Sequence, residues 1–312
     1  MTRHRLLQIS PITPPADARL ARDYDVHALW KEADPKAWLA AHGSEYEAAA
    51  IHLRFPCDAA MLAALPNLKV LANFGAGYDK IDVAAAKKQG VVVSNTPGVL
   101  DECVADTAIG LLIDVARGFS ATTRFARAGL WKTGQRPLMT RVNRKKMGLI
   151  GYGGIGRAIA RRADGFGMEV RYNSRKPVEG APHAHEPSLL ALARWADFLV
   201  VACPGGPATH HLVNAEVMDA LGPEGILVNI ARGSVVDEAA LIAALTEKRL
   251  GGAGLDVYEN EPNIPEALLQ MDNVTALSHI AGFSRESRAD MEALVCDNVD
   301  AWFKTGKVLT PV

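Results

Sequence analysis

Three charged or titratable side chains in the second half of the chain each follow a short apolar segment. Arg232, Glu261 and His279 come two, four and two residues after their segments. Arginine can bind a carboxylate through two parallel hydrogen bonds, histidine can protonate a carbonyl oxygen, and glutamate can hold an imidazole and favour its charged form. Taken singly, a loop arginine or glutamate is more often a surface charge, and a lone histidine is often structural. Three at successive strand ends predict instead the reduction of a 2-oxo acid by hydride transfer.

A glycine-rich turn predicts where the nicotinamide dinucleotide that donates the hydride would bind. It joins a predicted strand, Met147–Ile150, to a predicted helix, Ile155–Phe166, and reads G-Y-G-G-I-G. Between a strand and a helix, this spacing indicates a dinucleotide-binding turn, because the glycines permit a tight turn and close approach to a pyrophosphate at the helix N-terminus. A glycine turn without a ligand is the alternative. The predicted cofactor contacts are Gly151, Gly153, Gly154, Ile155 and Gly156.

The next strand, predicted at Met168–Tyr172, bears on the choice between NAD and NADP. An NAD site places an acidic residue at the tip of this strand to bind the ribose 2′-hydroxyl. Here the only acidic residue, Glu169, is too early in the strand. Solvated turn charges are the alternative for the basic residues that follow. We predict that NADP(H) is preferred and NAD(H) is possible, with the 2′-phosphate contacted by Asn173, Ser174, Arg175 and Lys176.

Strands and helices must alternate to place these groups at one edge of a sheet. Short apolar runs separated by helical patterns indicate parallel sheets in an α/β fold. Five runs precede residue 100, at Leu6–Ile9, Val26–Trp30, Ala48–Leu53, Val70–Phe74 and Val91–Val93. The later runs are Met147–Ile150, Met168–Tyr172, Phe198–Ala202, Ile226–Ile230, Gly254–Val257 and Val274–Leu277.

Two longer helices and one connecting segment complete the predicted elements. Val104, Ala108, Leu111, Leu112 and Val115 form one apolar stripe of helical period. A second stripe predicts a helix over residues 286–303, which could pack on either sheet. Residues 119–145 show little periodicity and are predicted to be a connecting segment, and a hinge is placed near residues 97–101.

Length and composition limit the classes of protein that fit. A chain of 312 residues predicts two domains, and 49% hydrophobic with 22% charged residues is ordinary for a globular protein. A formal net charge of −1 gives no reason to expect nucleic acid or an anionic membrane as partner. The four cysteines form no CxxC pair, and no signal peptide or long apolar segment is present. We therefore expect a cytoplasmic protein without a metal requirement, since no histidine has ligand spacing.

The ordered motifs resemble the D-isomer-specific 2-hydroxyacid dehydrogenases, especially the glyoxylate/hydroxypyruvate and hydroxyphenylpyruvate reductase branch. The likeness extends from about Ala72 to Phe303. Besides the glycine turn, the matching blocks are NFGAGYDKID at residues 73–82, VAD at 104–106, NIARGSVVD at 229–237, GGAGLDV at 251–257, Glu261-Pro262 and His279-Ile280.

The resemblance implies a role for each matching residue. Arg232 binds and polarises the 2-oxo acid, His279 is the acid/base, Glu261 is its partner, and Asp256 faces the nicotinamide. It further implies that Gly75, Ala76 and Gly77 offer backbone N–H groups to the substrate carboxylate. The chain departs from the commonest pattern at Ser278, Ala281 and Cys203. Since a cysteine recurs at the last position in the hydroxyphenylpyruvate-type branch, we expect Cys203 and Pro204 to pack against the cofactor.

The fold implied is α/β with two doubly wound parallel-sheet domains. A flavodoxin-like substrate domain, residues 1–98 and 286–312, is discontinuous, and a Rossmann-type dinucleotide-binding domain, residues 99–285, forms a cleft with it. Family members generally form homodimers through the cofactor domain.

The predicted activity is NADPH-dependent reduction of glyoxylate or hydroxypyruvate to the D-hydroxy acid. Arg54 could contact substrate hydroxyls or be solvated, so 2-ketogluconate and hydroxyphenylpyruvate are not separated from these substrates. One alternative is a dinucleotide-binding corepressor of the same fold, which the expected lack of a disordered tail or basic patch disfavours. A formate or phosphite dehydrogenase is a weaker third, because its substrate would not need the whole set of side chains.

Overall fold

The structure is a computed structural model that describes residues 3–312. It contains two compact units. The first unit comprises the described residues up to Leu100 together with Ser284–Val312, and the second comprises Asp101–Phe283. The chain therefore leaves the first unit once, builds the whole of the second and returns with its last helix.

The first unit is a five-stranded parallel sheet with strand order β2-β1-β3-β4-β5. This is the order of flavodoxin-like sheets. Its elements before residue 100 are β1 (Arg5–Gln8), α1 (Pro14–Asp23), β2 (Asp25–Ala28), α2 (Pro35–His42), β3 (Ala48–His52), α3 (Ala59–Ala63), β4 (Val70–Phe74), α4 (Val83–Gln89) and β5 (Val92–Ser94).

The second unit is a seven-stranded parallel sheet with strand order β12-β11-β10-β9-β6-β7-β8. Its elements are α5 (Asp101–Arg117), α6 (Phe119–Arg127), β6 (Lys146–Ile150), α7 (Gly154–Gly165), β7 (Glu169–Asn173), β8 (Ala184–His185), α8 (Leu189–Trp195), β9 (Phe198–Val201), α9 (Ala215–Leu221), β10 (Ile226–Asn229), α10 (Glu238–Thr246), β11 (Gly252–Leu255), α11 (Glu266–Leu269) and β12 (Val274–Ala276). The last helix, α12 (Arg285–Thr305), belongs to the first unit.

Apolar side chains on both faces of each sheet explain why helices cover them. In the first unit, alternate residues of β3 and β4 belong to two separate buried clusters, one on each face. Helix α12 closes one of them with Met291, Val295 and Val299. Arg19 of α1 fixes the position of this helix, because its guanidinium bonds Asp297 at 2.6 Å and Asp300 at 2.8 Å.

The predicted α/β fold with two parallel sheets is confirmed. All eleven predicted strands are present with small shifts at their ends, and the apolar stripe of α5 is buried. The two-residue strand β8 was not predicted, because its sequence carries no apolar run. The interpretation of residues 119–145 as a connecting segment is wrong at its start, where α6 forms; only Ala121 of this helix is buried, so no apolar stripe marks it in the sequence.

Candidate active site

Three neighbouring strands of the second sheet place the predicted catalytic side chains at one edge. Strands β10, β11 and β12 are adjacent and parallel, so their carboxyl ends lie together. The loops that follow them carry Arg232, Glu261 and His279, in that order. The carboxyl edge of such a sheet is where open α/β folds bind ligands.

His279 and Glu261 are in direct contact. The imidazole Nδ1 lies 2.7 Å from Glu261 Oε2, and the backbone N–H of Tyr258 donates to Oε1 at 3.2 Å. Burial alone would raise the pKa of Glu261, but the hydrogen bond from His279, its charge, the Tyr258 N–H and the charge of Arg232 together lower it. The carboxylate therefore stays ionised and holds Nδ1, which leaves Nε2 as the ring atom able to exchange a proton with a substrate.

A buried carboxylate fixes the loop that carries the histidine. Asp256, which is 1% exposed, accepts the backbone N–H of Ile280 at 2.7 Å through Oδ1 and that of Ala281 at 2.9 Å through Oδ2. His279 itself has a φ of 58°, which non-glycine residues rarely adopt. The two hydrogen bonds are made by the two residues that follow His279, so they stabilise the unusual backbone conformation of His279 and thereby position its ring. The contact of Asp256 with nicotinamide stays a prediction.

The Arg232 loop is held by the side chain of Asn229 and by close packing against the loops that follow β9 and β11. Asn229, the last residue of β10, is 1% exposed, and its amide group bonds the backbone of Ala231 at 3.1 Å and the carbonyl of Arg232 at 3.0 Å. A Cβ at Gly233 would lie 1.9 Å from the Tyr258 carbonyl carbon, and one at Gly205 would lie 2.7 Å from Arg232 Cγ. Only glycine therefore allows these three loops to pack so closely.

The glycine turn lies where the strand order reverses. The first strand of the unit, β6, has β9 on one side and β7 on the other, and ligands bind at such switch points. A Cβ at Gly151 would lie 2.7 Å from the backbone nitrogen of Cys203, and one at Gly156 would lie 2.4 Å from the Gly151 carbonyl oxygen. Beside Gly153, by contrast, a Cβ would meet nothing within 4 Å. The close packing at Gly151 and Gly156, together with the open space beside Gly153, fits the binding of a dinucleotide pyrophosphate.

The residues predicted to select NADP differ in what their side chains bond. Asn173 donates to the carbonyls of Glu186 and Pro187 at 2.9 and 3.0 Å, and the Ser174 hydroxyl donates to the Lys176 carbonyl at 2.6 Å. Both side chains therefore shape the turn. Arg175 and Lys176 are exposed and carry the positive charge of the segment.

Cys203, which is predicted to pack against the cofactor, follows β9, and its backbone nitrogen would lie 2.7 Å from a Cβ at Gly151. Burial raises the pKa of its thiol to about 11. The group is neutral at physiological pH, which suits packing and does not suit nucleophilic chemistry.

The three residues predicted to offer N–H groups to the substrate carboxylate, Gly75, Ala76 and Gly77, lie in the first unit after β4. Buried asparagines hold their carbonyls: Asn73 donates to Gly75 and Gly77, and Asn95 donates to Ala76 at 2.7 Å. Gly75 N–H donates to the Thr96 hydroxyl at 3.1 Å, so it is already used within the protein. Within residues 3–312, the N–H groups of Ala76 and Gly77 have no protein acceptor.

A second histidine adjoins the predicted substrate residues of the first unit. His52 ends β3, and its Nδ1 accepts the backbone N–H of Arg54 at 3.1 Å. Burial, with the charges of Arg54 and Arg288, lowers the pKa of His52 to about 4. The imidazole is therefore neutral at pH 7 and is not a proton donor there.

The sequence did not point to the side chains that hold, within each unit, the loops that carry the predicted site residues. Asn73, Asn95 and Asn229 hold loop backbone, and the one signal available was a polar residue at the end of an otherwise apolar strand.

In the part of the chain that the structure describes, no group of three or more histidine, cysteine or acidic residues is arranged to hold a metal ion. No helix within residues 3–312 has the length and apolar character needed to cross a membrane.

Comparison with known proteins agrees with this geometry. Residues 109–281 match the family model described as D-isomer specific 2-hydroxyacid dehydrogenase, NAD binding domain. The chain is 40% identical over 98% of both lengths to a glyoxylate/hydroxypyruvate reductase A of Arabidopsis thaliana, and 46% identical over 81% of both to a 2-ketogluconate reductase of Gluconobacter oxydans.

A solved structure covers the whole chain. It is an NADPH-dependent glyoxylate/hydroxypyruvate reductase of Sinorhizobium meliloti in complex with NADP and malonate, 43% identical, covering 100% of this chain and 97% of that one with a TM-score of 0.92. The chain therefore belongs to the D-isomer-specific 2-hydroxyacid dehydrogenases and is an NAD(P)-dependent oxidoreductase of that family.

Proposed function

We propose that this chain catalyses the NADPH-dependent reduction of a small 2-oxo acid, glyoxylate or hydroxypyruvate, to the D-2-hydroxy acid. The contact between His279 Nδ1 and Glu261 carries this proposal, because it prepares an imidazole to give a proton at Nε2. Relatives named for glyoxylate, hydroxypyruvate, hydroxyphenylpyruvate and 2-ketogluconate support a 2-oxo acid substrate.

Each of the three side chains has a defined part in this scheme. Arg232 binds the substrate carboxylate and draws electron density from the adjacent carbonyl. His279 donates a proton to the carbonyl oxygen as the carbonyl carbon is reduced, and Glu261 stabilises the imidazolium before the transfer. The reduced nicotinamide, when bound, supplies the hydride. In the reverse direction the neutral imidazole accepts the proton of the hydroxyl group.

We propose that the first unit is the substrate domain. We assign the N–H groups of Ala76 and Gly77 to the substrate carboxylate, because they have no protein acceptor within residues 3–312, and we assign Gly75 to shaping their loop. Arg54 follows β3, and we assign it to the hydroxyl-bearing end of hydroxypyruvate. We assign the dinucleotide to the second unit, at the glycine turn, Cys203 and Pro204, with Asp256 holding the His279 loop.

The preference for NADPH follows from charge. A 2′-phosphate needs cations and no facing carboxylate. Arg175 and Lys176 are exposed after β7, whereas Glu169 lies at the start of that strand and bonds Arg171 at 3.1 Å. The relative from Sinorhizobium meliloti in complex with NADP supports the same preference.

We also propose that the protein is a cytoplasmic homodimer. Large apolar side chains of the second unit are exposed along residues 119–138: Phe119 at 53%, Leu130 at 48%, Trp131 at 73% and Leu138 at 102%. Burial of these side chains in an interface between two copies would favour self-association. A solution mass of a single chain by light scattering at micromolar concentration would contradict the homodimer.

Substitutions in the proton-transfer pair test the proposed chemistry. His279→Ala should lower kcat for glyoxylate by about 10²- to 10⁴-fold, because positioned general acids contribute that much. Arg232→Ala should raise KM and also lower kcat, since the guanidinium both binds and polarises the substrate. His42→Ala is the control, because His42 also bonds a carboxylate, Glu45 at 2.9 Å, but lies on α2 in the first unit. Near-normal rates in His279→Ala would refute the assignment.

The pH profile of the same pair gives an independent test. The pKa of Glu261 lies below its ordinary value, so the carboxylate should remain charged, and the reduction should remain fast, through mildly acidic pH. On the acidic side, the rate should fall as pH drops through that lowered pKa. Glu261→Gln removes the titrating carboxylate, so kcat should be lower throughout and this acid fall should disappear. An acid fall that persists unchanged in Glu261→Gln would contradict the pairing.

Cofactor selection is tested by removing the two exposed cations. Arg175→Ala with Lys176→Ala should raise KM for NADPH by about tenfold or more and leave KM for NADH within about twofold, because each lost charged hydrogen bond costs roughly 1.5–3 kcal/mol. Arg194→Ala, an exposed arginine at the end of α8, is the matched control. Steady-state rates with both cofactors measure the ratio. A wild-type enzyme equally efficient with NADH would count against the NADPH preference.

A further inference from the structure

The tyrosine inside the glycine turn makes a contact that the proposed chemistry does not use. Tyr152 stands between the first two glycines and is 5% exposed. Its hydroxyl lies 2.6 Å from His183 Nδ1, and its ring stacks on Tyr172 of β7 with centroids 4.0 Å apart. A surface turn that only had to bind pyrophosphate would need no such buried side chain.

His183 extends the contact to the helix that begins at the turn. Its Nε2 lies 2.9 Å from Asp164 Oδ1, close to the end of α7, and its side chain is 10% exposed. The carboxylate is acceptor-only, so we assign the proton to Nε2 and have Nδ1 accept from the Tyr152 hydroxyl. A neutral imidazole satisfies both partners in this tautomer.

The same residues border the segment that carries Arg175 and Lys176. The Tyr172 hydroxyl accepts the backbone N–H of Val178 at 2.8 Å, so the stacked tyrosine fixes the middle of the segment. His183 fixes its far end against the glycine turn. The position of the segment relative to the turn is therefore set by side chains and does not depend on backbone pairing alone.

We propose that Tyr152, His183 and Asp164 form a positioning network that holds the pyrophosphate-binding turn and the 2′-phosphate-binding segment at a fixed separation, and that this network strengthens selection of NADPH over NADH. The inference rests on the proposed NADPH preference. A segment that is ordered before binding loses less conformational entropy when it binds the 2′-phosphate. The network therefore increases the affinity for NADPH, which carries this phosphate, more than the affinity for NADH.

The network should affect cofactor binding and leave the chemical step alone. It lies on the turn after β6, on α7 and on the β7–β8 connection, whereas the His279–Glu261 pair follows β11 and β12 at the other side of the same sheet. Its members are positioning residues, since none is placed to touch the reacting atoms. An effect on Kd without an effect on saturated kcat therefore distinguishes it from a general loss of structure.

Two variants break the network at different points. Tyr152→Phe keeps the ring and its stacking but removes the hydroxyl, and His183→Asn removes both imidazole contacts. Each should raise the Kd of NADPH by about three- to tenfold, as expected for one or two lost hydrogen bonds, with NADH changed by less than about twofold. Fluorescence titration gives both constants, and saturated kcat should stay within about twofold of wild type.

A double variant and a control complete the test. Tyr152→Phe combined with His183→Asn should cost no more than His183→Asn alone, because both remove the same link. His42→Gln, which breaks a histidine–carboxylate contact in the first unit, should leave both constants unchanged. The ligand 2′-AMP should lose affinity in the two network variants, since it presents only the phosphate end.

Two results would overturn the inference: an unchanged Kd for NADPH in Tyr152→Phe, or equal losses for NADPH and NADH with a lowered melting temperature. The failure of the proposed function is distinguishable from both. A wild-type protein that does not bind NADPH overturns the proposed function, whatever the variants do.

Discussion

One buried carboxylate determines the position of His279, the proposed proton donor. Asp256 is the residue after β11, and both of its oxygens accept backbone N–H groups from the loop after β12. Hydrogen bonds to a charged acceptor contribute about 1.5–3 kcal/mol each, enough to offset the roughly 1–3 kcal/mol that the left-handed backbone of His279 costs. Burial raises the pKa of Asp256, while the two N–H groups oppose that rise. The backbone next to His279 is therefore fixed independently of the contact between its side chain and Glu261.

The remaining features of the site depend on this arrangement. With His279 fixed, Glu261 on the β11 loop can reach Nδ1, and Arg232 on the β10 loop is close enough for its charge to help lower the pKa of Glu261. Parallel pairing of three adjacent strands brings these loops to one edge, and the glycine turn follows β6 at the same edge. The sheet thus supplies the shared edge, while buried polar side chains supply the fine placement.

The sequence was sufficient for the features that depend on periodicity and on glycine spacing. All eleven apolar runs are strands in the structure. The residues that follow three of them lie at one edge because β10, β11 and β12 are adjacent and parallel. Helix α6 was missed, since a helix with one buried residue leaves no stripe to detect. The support given by Asn229 and Asp256 was also missed, because a side chain that bonds the backbone of another loop has a partner no local pattern reveals. His183 lies 31 residues from Tyr152, and their contact depends on how the β7–β8 connection folds back.

The most direct test of the central claim is a crystal structure of the complex with NADPH and oxamate, a non-reducible analogue of a 2-oxo acid. We predict that His279 Nε2 lies within about 2.6–3.2 Å of the analogue's carbonyl oxygen, that the Arg232 guanidinium bonds its carboxylate, and that Glu261 still holds Nδ1. An analogue bound with its carbonyl away from the imidazole, or an imidazole released from Glu261 in the complex, would contradict this prediction.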